Sequence, residues 1–238
     1  MDWSDVTLDA VNDNLALDEA LLLDAEAGRG GEVLRVWEWP RPAVVLGAAG
    51  RINDDVDVAA CERDGVPLAR RSSGGGTVLL GPGCLLYSLV LRYDRTPDLR
   101  DIRRSNRWIL GRVTDALAPL QPGLAVEGVS DLAAGGRKVG GSAQQRKRDH
   151  LLFHGTLLYA FDLGLIPRYL REPPRQPDYR GGRPHAAFVT NLPVTAAELW
   201  ARLAAAWEAV PAGAALPAEL VARLVEEKYG RPEWARRL

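Results

Sequence analysis

Cysteine, histidine and lysine are all scarce in this chain of 238 residues. Its two cysteines, Cys61 and Cys84, are too few for a disulfide framework or a zinc knuckle. No run of 18 apolar residues is present, which excludes a spanning helix. The opening stretch MDWSDVTLDAVNDN is acidic and lacks the basic and apolar segments of a secretory signal, so a reducing cytoplasm is the expected compartment. A formal net charge of −1 leaves no basic excess, and neither nucleic acid nor an anionic membrane is expected as a partner. Only three basic residues are lysine (Lys138, Lys147 and Lys228), and the rest are arginine. A lysine kept where arginine is the default invites a chemical reason, because lysine is a compact, mobile point charge and arginine a rigid planar fork.

What is present is an ordinary globular balance, 47% hydrophobic and 26% charged, enough for one sizeable core. Asn12 or Asn14 can cap a helix running to about Ala27, stopped by Gly28 and Gly30. Val33 to Trp39 and Ala43 to Leu46 read as strands, Val56 to Asp64 as a helix, and Pro67 to Arg70 as extended. Thr77 to Leu80 and Leu85 to Arg92 predict a hairpin closed by Gly81-Pro82-Gly83. A helix over Asp101 to Leu117 precedes three extended pieces, Asp131 to Ala134, Arg137 to Ala143 and Leu151 to Phe161. Helices near Leu163 to Leu170, Thr195 to Glu208 and Pro217 to Tyr229 follow. Antiparallel strands with helices between them predict an α+β chain built on one mixed, largely antiparallel sheet. Nothing marks a domain boundary, so 1–238 is expected to be one catalytic domain with 195–238 as a C-terminal helical segment.

Three segments can carry chemistry. In Arg70-Arg71-Ser72-Ser73-Gly74-Gly75-Gly76-Thr77-Val78, three glycines let backbone N–H groups approach an anion, and the arginines supply charge-assisted bonds. No Gly-Lys-Ser/Thr follows, so this is not a Walker loop. On the glycines alone a solvated connection fits equally well. Gly135-Gly136-Arg137-Lys138-Val139-Gly140-Gly141-Ser142-Ala143-Gln144 surrounds Lys138 with small residues, and its ammonium could stabilise the charge that builds in acyl or adenylyl transfer. A plain glycine turn with a solvated lysine fits too. His154-Gly155-Thr156-Leu157-Leu158 places a glycine inside a strand, which suggests close approach to the backbone there, while the histidine alone reads as a hydrogen-bonded core residue. Cys84, after Gly81-Pro82-Gly83, could be a nucleophile if a base lay close, but buried structural cysteine is far commoner, and Cys61 beside Ala59 and Ala60 reads as packing.

In this order and spacing the segments resemble the lipoate–protein ligase A family, within the biotin/lipoate ligase superfamily. Arg70 to Val78 is similar to that family's RRxSGGGxV loop, Gly136 to Ala143 to its GRKxxGxA segment, and His154 to Leu158 to its HGTLL. Asn14 to Glu19, Leu34 to Trp37, Val44 to Gly47, Asp162 and Thr190-Asn191-Leu192 extend the likeness from Asn14 to Leu192. The resemblance implies the catalytic fold shared with biotin ligases and class II synthetases. It implies activation of lipoate by ATP, with Mg2+, to lipoyl-AMP, and acyl transfer to a lysine of a lipoyl carrier domain or an H-protein-like acceptor. Carried over by position, Lys138 bridges the lipoate carboxylate and the α-phosphate, and Arg71 with Gly76, Thr77, Val78 and Leu79 contacts the nucleotide. Arg70 and Ser73 shape the acyl-adenylate pocket, and Val139, Gly141, Ser142, Ala143 and Gly155 line it. Gly74, Gly75, His154, Thr156 and Asp162 complete the implied set.

The chain also departs from the family pattern. Ala48-Ala49-Gly50 replaces the usual polar residues, Phe153 stands where a second histidine is common, and Arg180, Arg183 and His185 alter the usual basic pattern. The resemblance implies a C-terminal accessory domain that is expected here to be either missing or a separate polypeptide, so an accessory ligase subunit is a candidate partner. The rival reading is ATP-independent octanoyl or lipoyl transfer between carriers, which in the related transferases runs through a cysteine thioester. The window Leu124 to Ala134 holds Glu127, Ser130 and Asp131 but no cysteine, and no cysteine follows Cys84. A non-catalytic subunit that binds acyl-adenylate is the third reading. Arg146-Lys147-Arg148 could face an acidic carrier or form a solvated hairpin tip.

Overall fold

The computed structural model describes residues 1–211 and 216–238. Eleven strands among them are β1 (Asp2–Ser4), β2 (Val33–Glu38), β3 (Ala43–Leu46), β4 (Leu68–Arg70), β5 (Val78–Leu80), β6 (Cys84–Arg92), β7 (Leu124–Glu127), β8 (Asp131–Ala134), β9 (Arg137–Arg146), β10 (His150–Leu158) and β11 (Val210–Pro211). Eight form one largely antiparallel sheet in the order β11-β1-β2-β6-β10-β9-β8-β7. The other three form a small sheet, β4-β3-β5, in which β3 runs parallel to β4 and antiparallel to β5.

β6 and β10 occupy the centre of the large sheet, and their nearly unbroken apolar runs suit strands covered on both faces. Side chains alternate between faces. Leu85, Tyr87, Leu89 and Leu91 join Leu34, Val36, Phe153 and Leu157 beneath two helices, α4 (Ile102–Leu117) and α7 (Ala196–Ala206). Asp101 caps α4 by accepting from the Arg103 and Arg104 amides, and Ile109, Leu110, Val113 and Leu117 form its buried stripe. The opposite face of the sheet lies against α1 (Val11–Glu26) and the small sheet.

Several expectations are corrected. The strands form two sheets rather than one. Residues 77–80 and 85–92 are not a hairpin, because β5 pairs with β3 whereas β6 pairs with β2 and β10. At the switch between sheets Gly83 has φ +83°, and a Cβ there would lie 2.2 Å from the Ala160 carbonyl carbon, so only glycine fits. Asn14 does not cap α1. It is buried and holds the helix entry by accepting from the Leu8 amide (2.9 Å) and donating to the Leu8 and Ala10 carbonyls (2.9 and 2.8 Å). The segment 56–64 divides, with α2 (Ile52–Asp55) ending before it, Val56 bridging to Leu170, and α3 (Val58–Asp64) capped by Asp57.

Two short helices, α5 (Leu165–Tyr169) and α6 (His185–Phe188), bracket an arginine-rich loop, 170–184. α8 (Ala218–Leu224) continues as a wider turn through Tyr229, and α9 (Pro232–Arg236) packs against β4. Among the described residues no helix is long and apolar enough to cross a membrane.

Candidate active site

The glycine loop, residues 72–77, joins β4 to β5 and is bent around one side chain. Arg71 points back into its own loop, and its Nη2 donates to the Gly74 and Gly76 carbonyls (2.6 and 2.8 Å). Its Nε donates to Ser73 Oγ (3.0 Å) and its Nη1 to the Val45 carbonyl (3.3 Å). Among the described residues no carboxylate neutralises it, and burial pulls its pKa down to about 10. A desolvated cation wrapped in carbonyls retains a strong pull on an anion. Gly47 lets the loop close, since a Cβ there would stand 2.1 Å from the Gly75 carbonyl oxygen.

Ser73 extends this framework across the molecule. Its hydroxyl hydrogen-bonds His154 Nε2 on β10 (2.5 Å), and His154 Nδ1 faces Asp18 Oδ2 on α1 at 3.5 Å. Asp18 also accepts from Ser88 Oγ (2.8 Å) and pairs with the fully buried Arg35 (2.6 Å). Burial pushes the Asp18 carboxyl up, but the Arg35 guanidinium and His154 outweigh it and hold it below the usual carboxylate range.

Lys138 rises from β9 at a bulge opposite β8, where the register slips between Leu132 and Ala133. The β8–β9 turn is Gly135-Gly136, both with positive φ, as a two-residue hairpin requires. Lys138 Nζ pairs with Asp131 Oδ1 (2.7 Å), and Asp131 Oδ2 accepts from Tyr179 of the arginine-rich loop (2.9 Å). Gly141 gives the ammonium room, because a Cβ there would lie 2.9 Å from Nζ.

Two adjoining cavities meet at Lys138, Asp131, Gly76, Thr77, Val78 and Thr156. The first is lined by the apolar Leu15, Trp37, Val45, Leu80 and Leu86 and by the polar Asp18, Arg71, Ser130, Ser142 and His154. The second runs under the 170–184 loop past Asp55, Arg171, Arg175, Arg180 and His185. The first cavity mixes an apolar lining with charged groups, the second is rich in arginine, and Lys138 stands where they join.

The family description "Lipoyl protein ligase A/B catalytic domain" matches residues 10–204. The chain belongs to that family. An octanoyltransferase LipM of Carboxydothermus hydrogenoformans is 32% identical over 186 residues, covering 67% of this chain and 65% of that protein. A second octanoyltransferase LipM, of Symbiobacterium thermophilum, is 29% identical and covered to 93%, as is this chain. Among solved structures, lipoate-protein ligase A bound with ATP superposes with a TM-score of 0.81 at 24% identity, over 99% of this chain and 98% of that one. A T. acidophilum protein with bound lipoic acid gives 0.79 at 23%, over the whole of both chains. A bi-partite lipoate protein ligase from Thermoplasma acidophilum, studied with its E2 lipoyl domain, gives 0.80 at 22%, over 99% and 95%. These structural likenesses bear out the expected lipoate-ligase type of fold. The family thus includes proteins named as lipoate ligases and proteins named as octanoyltransferases.

Of the expected residues, the structure gathers Arg71, Gly75, Gly76, Thr77, Val78, Lys138, Gly141, Ser142, Ala143, His154, Gly155 and Thr156 around the first cavity, with Leu79 on the second. Five expected residues line neither cavity. Arg70 is fully buried behind the loop, donating to the carbonyls of Gly47 (2.8 Å), Gly50 (2.7 Å), Ala235 (3.1 Å) and Arg237 (2.7 Å), where it fastens the end of the chain to β4. Val139 is the bulged residue and packs into the core. Gly74 contributes only the carbonyl that Arg71 holds, and Asp162 caps a local turn through the Gly164 amide (3.0 Å). Ser73 stands one step behind the wall, acting on it through Arg71 and His154. Arg146, Lys147 and Arg148 sit at the far end of β9, about 26 Å from Lys138 at roughly 3.3 Å per residue, and Arg146 is spent on the Leu99 carbonyl.

Sequence reasoning missed Asp18, Trp37, Asp131 and Arg171. For Asp131 a signal existed, since two short strands around Gly135-Gly136 place it across a hairpin from the Lys138 segment.

Proposed function

We propose that this chain is an ATP-dependent lipoate ligase, and the observation that carries the reading is the kind of nucleophile the cavity lacks. Neither thiol lines either cavity. Cys84 is fully buried in β6, and burial, then the nearby Glu38, push its thiol far up. Cys61 is buried in α3 and pushed up to about 11 by burial and then Asp57. A thiol becomes a nucleophile as thiolate, and these surroundings oppose ionisation. The acyl-thioester route of the transferases therefore has no attacking group here, although two of the relatives named above carry the transferase name.

Adenylation needs no protein nucleophile. A lipoate carboxylate oxygen attacks the α-phosphorus of ATP, the bond to the β-phosphate oxygen breaks, and pyrophosphate leaves. Lys138, reaching both cavities, offsets the negative charge that gathers between carboxylate and phosphate. The buried Arg71 holds the acid end in register, and the arginines of the second cavity face the departing phosphates. Asp55 and Asp131 are the carboxylates of that cavity, and Mg2+ bound to a nucleotide takes one or two such ligands besides phosphate oxygens. In the second step the amine of a carrier lysine attacks the acyl carbonyl and AMP departs.

The test is intact-mass analysis of an apo carrier domain incubated with the protein, lipoate, ATP and Mg2+, beside a reaction offering octanoyl-carrier without ATP. Modification only in the first supports the ligase, and modification only in the second overturns it. Product only from preformed lipoyl-AMP limits the chain to the transfer half-reaction, with a separate accessory subunit for adenylation. As an independent check, the Cys61→Ala, Cys84→Ala double variant is expected to keep its transfer rate within about twofold, and iodoacetamide should leave the folded protein active. A rate collapse in a folded double variant would restore the thioester route.

A further inference from the structure

Glu19 follows Asp18 on α1 and is buried like it, although it lines neither cavity. One carboxylate oxygen accepts from Lys228 Nζ (2.6 Å) and from the Tyr229 hydroxyl (2.7 Å), both on the turn that follows α8. The other accepts from Gln145 Nε2 on β9 (3.1 Å), and Gln145 Oε1 accepts from Ser72 Oγ of the glycine loop (2.5 Å). Burial pushes the Glu19 carboxyl up, but the hydrogen bonds from Lys228, Tyr229 and Gln145 outweigh it and hold it below the usual carboxylate range. Near neutral pH the group is therefore a charged, fully engaged acceptor.

Adjacent acids of α1 thus reach adjacent serines of the loop, each through one strand side chain. Asp18 reaches Ser73 through His154 of β10, and Glu19 reaches Ser72 through Gln145 of β9. Arg35 fixes the first branch, and the chain beyond α8 fixes the second. That same chain holds the residue on the other side of Arg71. Arg70 Nε donates to the Trp234 carbonyl (3.0 Å), and the Arg70 carbonyl accepts from Trp234 Nε1 (2.8 Å). The neighbours of Arg71 before and after it are both tied to 225–238, a segment outside the residues 10–204 that the family description matches. Lys228 also gains a reason to be lysine. Its compact ammonium sits on Glu19 while lying 4.9 Å from the Tyr229 ring centroid and 4.5 Å from that of Trp234.

We propose that Glu19, held by Lys228 and Tyr229, is a positioning residue that sets the glycine loop so that Arg71 is aimed at the anionic end of the acyl substrate. It touches no reacting atom. Arg71 is bonded to the carbonyls of its own loop, so the direction of its guanidinium follows the loop backbone, and Ser72 is the corner where that backbone leaves β4. A loop released at this corner binds its anion less well while the chemistry of the bound complex is kept. The proposal rests on reading the first cavity as an acyl site, which ligase and transferase chemistry share.

Ser72→Ala removes the last link of the relay, a half-buried hydroxyl, and should scarcely move the melting temperature. Lys228→Met removes the first link. Each is expected to raise KM for lipoate about 5- to 20-fold with kcat within about twofold of the parent. The double variant should raise it no further than the larger single, because both cut one relay. Gln145→Leu, which cuts the middle, takes the place of Lys228→Met if that variant does not fold. An unchanged KM in Ser72→Ala, or effects that multiply in the double variant, would overturn the proposal while leaving the ligase reading intact. If the parent works only from octanoyl-carrier, the ligase reading fails, and the same cycle on KM for that donor decides the role of Glu19. If the parent modifies no carrier, amide hydrogen exchange over residues 71–77 decides. Faster exchange in both variants supports the anchor, and parental exchange overturns it.

Discussion

Lys138→Met is expected to lower kcat/KM for lipoate-dependent carrier modification by roughly 10²- to 10³-fold, the size of effect seen when a positioned charge is withdrawn from a transition state. The melting temperature should scarcely move. The Lys138–Asp131 pair retains 31% exposure on the lysine side, and partly exposed ion pairs contribute about 0–1 kcal/mol. A loss of activity without loss of fold separates a chemical role from a structural one. Lys138→Arg is not expected to rescue. The ammonium rests against Gly141, where a Cβ would be 2.9 Å away, and a planar fork is too wide for that space. Steady-state kinetics beside a thermal melt make the measurement. A methionine variant working at the parental rate would defeat the ligase mechanism at its centre.

The same lysine shows how much of the site is legible in the amino-acid sequence. The motifs carrying the site are local, namely a glycine loop after an arginine pair, a glycine-flanked lysine and a glycine inside a strand, so their residues are visible in order. What they touch is not local. Arg70 and Arg71 are neighbours in sequence, the first ending β4 and the second following it. Alternation along the extended chain sends Arg71 into the site and Arg70 behind it, onto the carbonyls of the chain's last residues. No pattern within ten residues distinguishes them. The expected pairing of 77–80 with 85–92 fails for a related reason. A glycine-proline-glycine turn is as good a corner between two sheets as a hairpin bend, and the β3–β5 ladder decides between them. Asp18 stays hidden because an apolar helix conceals one polar group, and only the packing of α1 on the sheet brings that group to the cavity wall.

The largest stability effect is expected at Arg35, through Asp18. Arg35 is fully buried, and its guanidinium donates to Asp18 (2.6 Å), to Asn14 Oδ1 (2.5 Å) and to the Val6 carbonyl (2.9 Å). Arg35→Met removes the guanidinium that pairs with Asp18 and leaves a carboxylate 2% exposed. Breaking such a pair from one side costs about 3–5 kcal/mol, a large part of the 5–15 kcal/mol typical of a folded protein. At roughly 2–4 °C per kcal/mol for a chain of this size, the melting temperature should fall by about 6–20 °C. The pH dependence identifies the cause. In the parent the Asp18 carboxyl is held low, so its stabilisation is present above the unfolded value near 4 and fades as pH falls through the folded value. In the variant burial acts unopposed by Arg35 and the carboxyl is raised. Protonation then relieves the strain, and the deficit against the parent should shrink between pH 7 and about 4.5. A deficit that stays constant over that range would assign the loss to packing instead. Activity gives the second readout. Asp18 orients His154, His154 holds Ser73 and Ser73 holds Arg71, so variant protein that remains folded should show a raised KM for lipoate. The charged network beneath the cavity would then be what keeps Arg71, which has no carboxylate partner among the described residues, aimed at its anion.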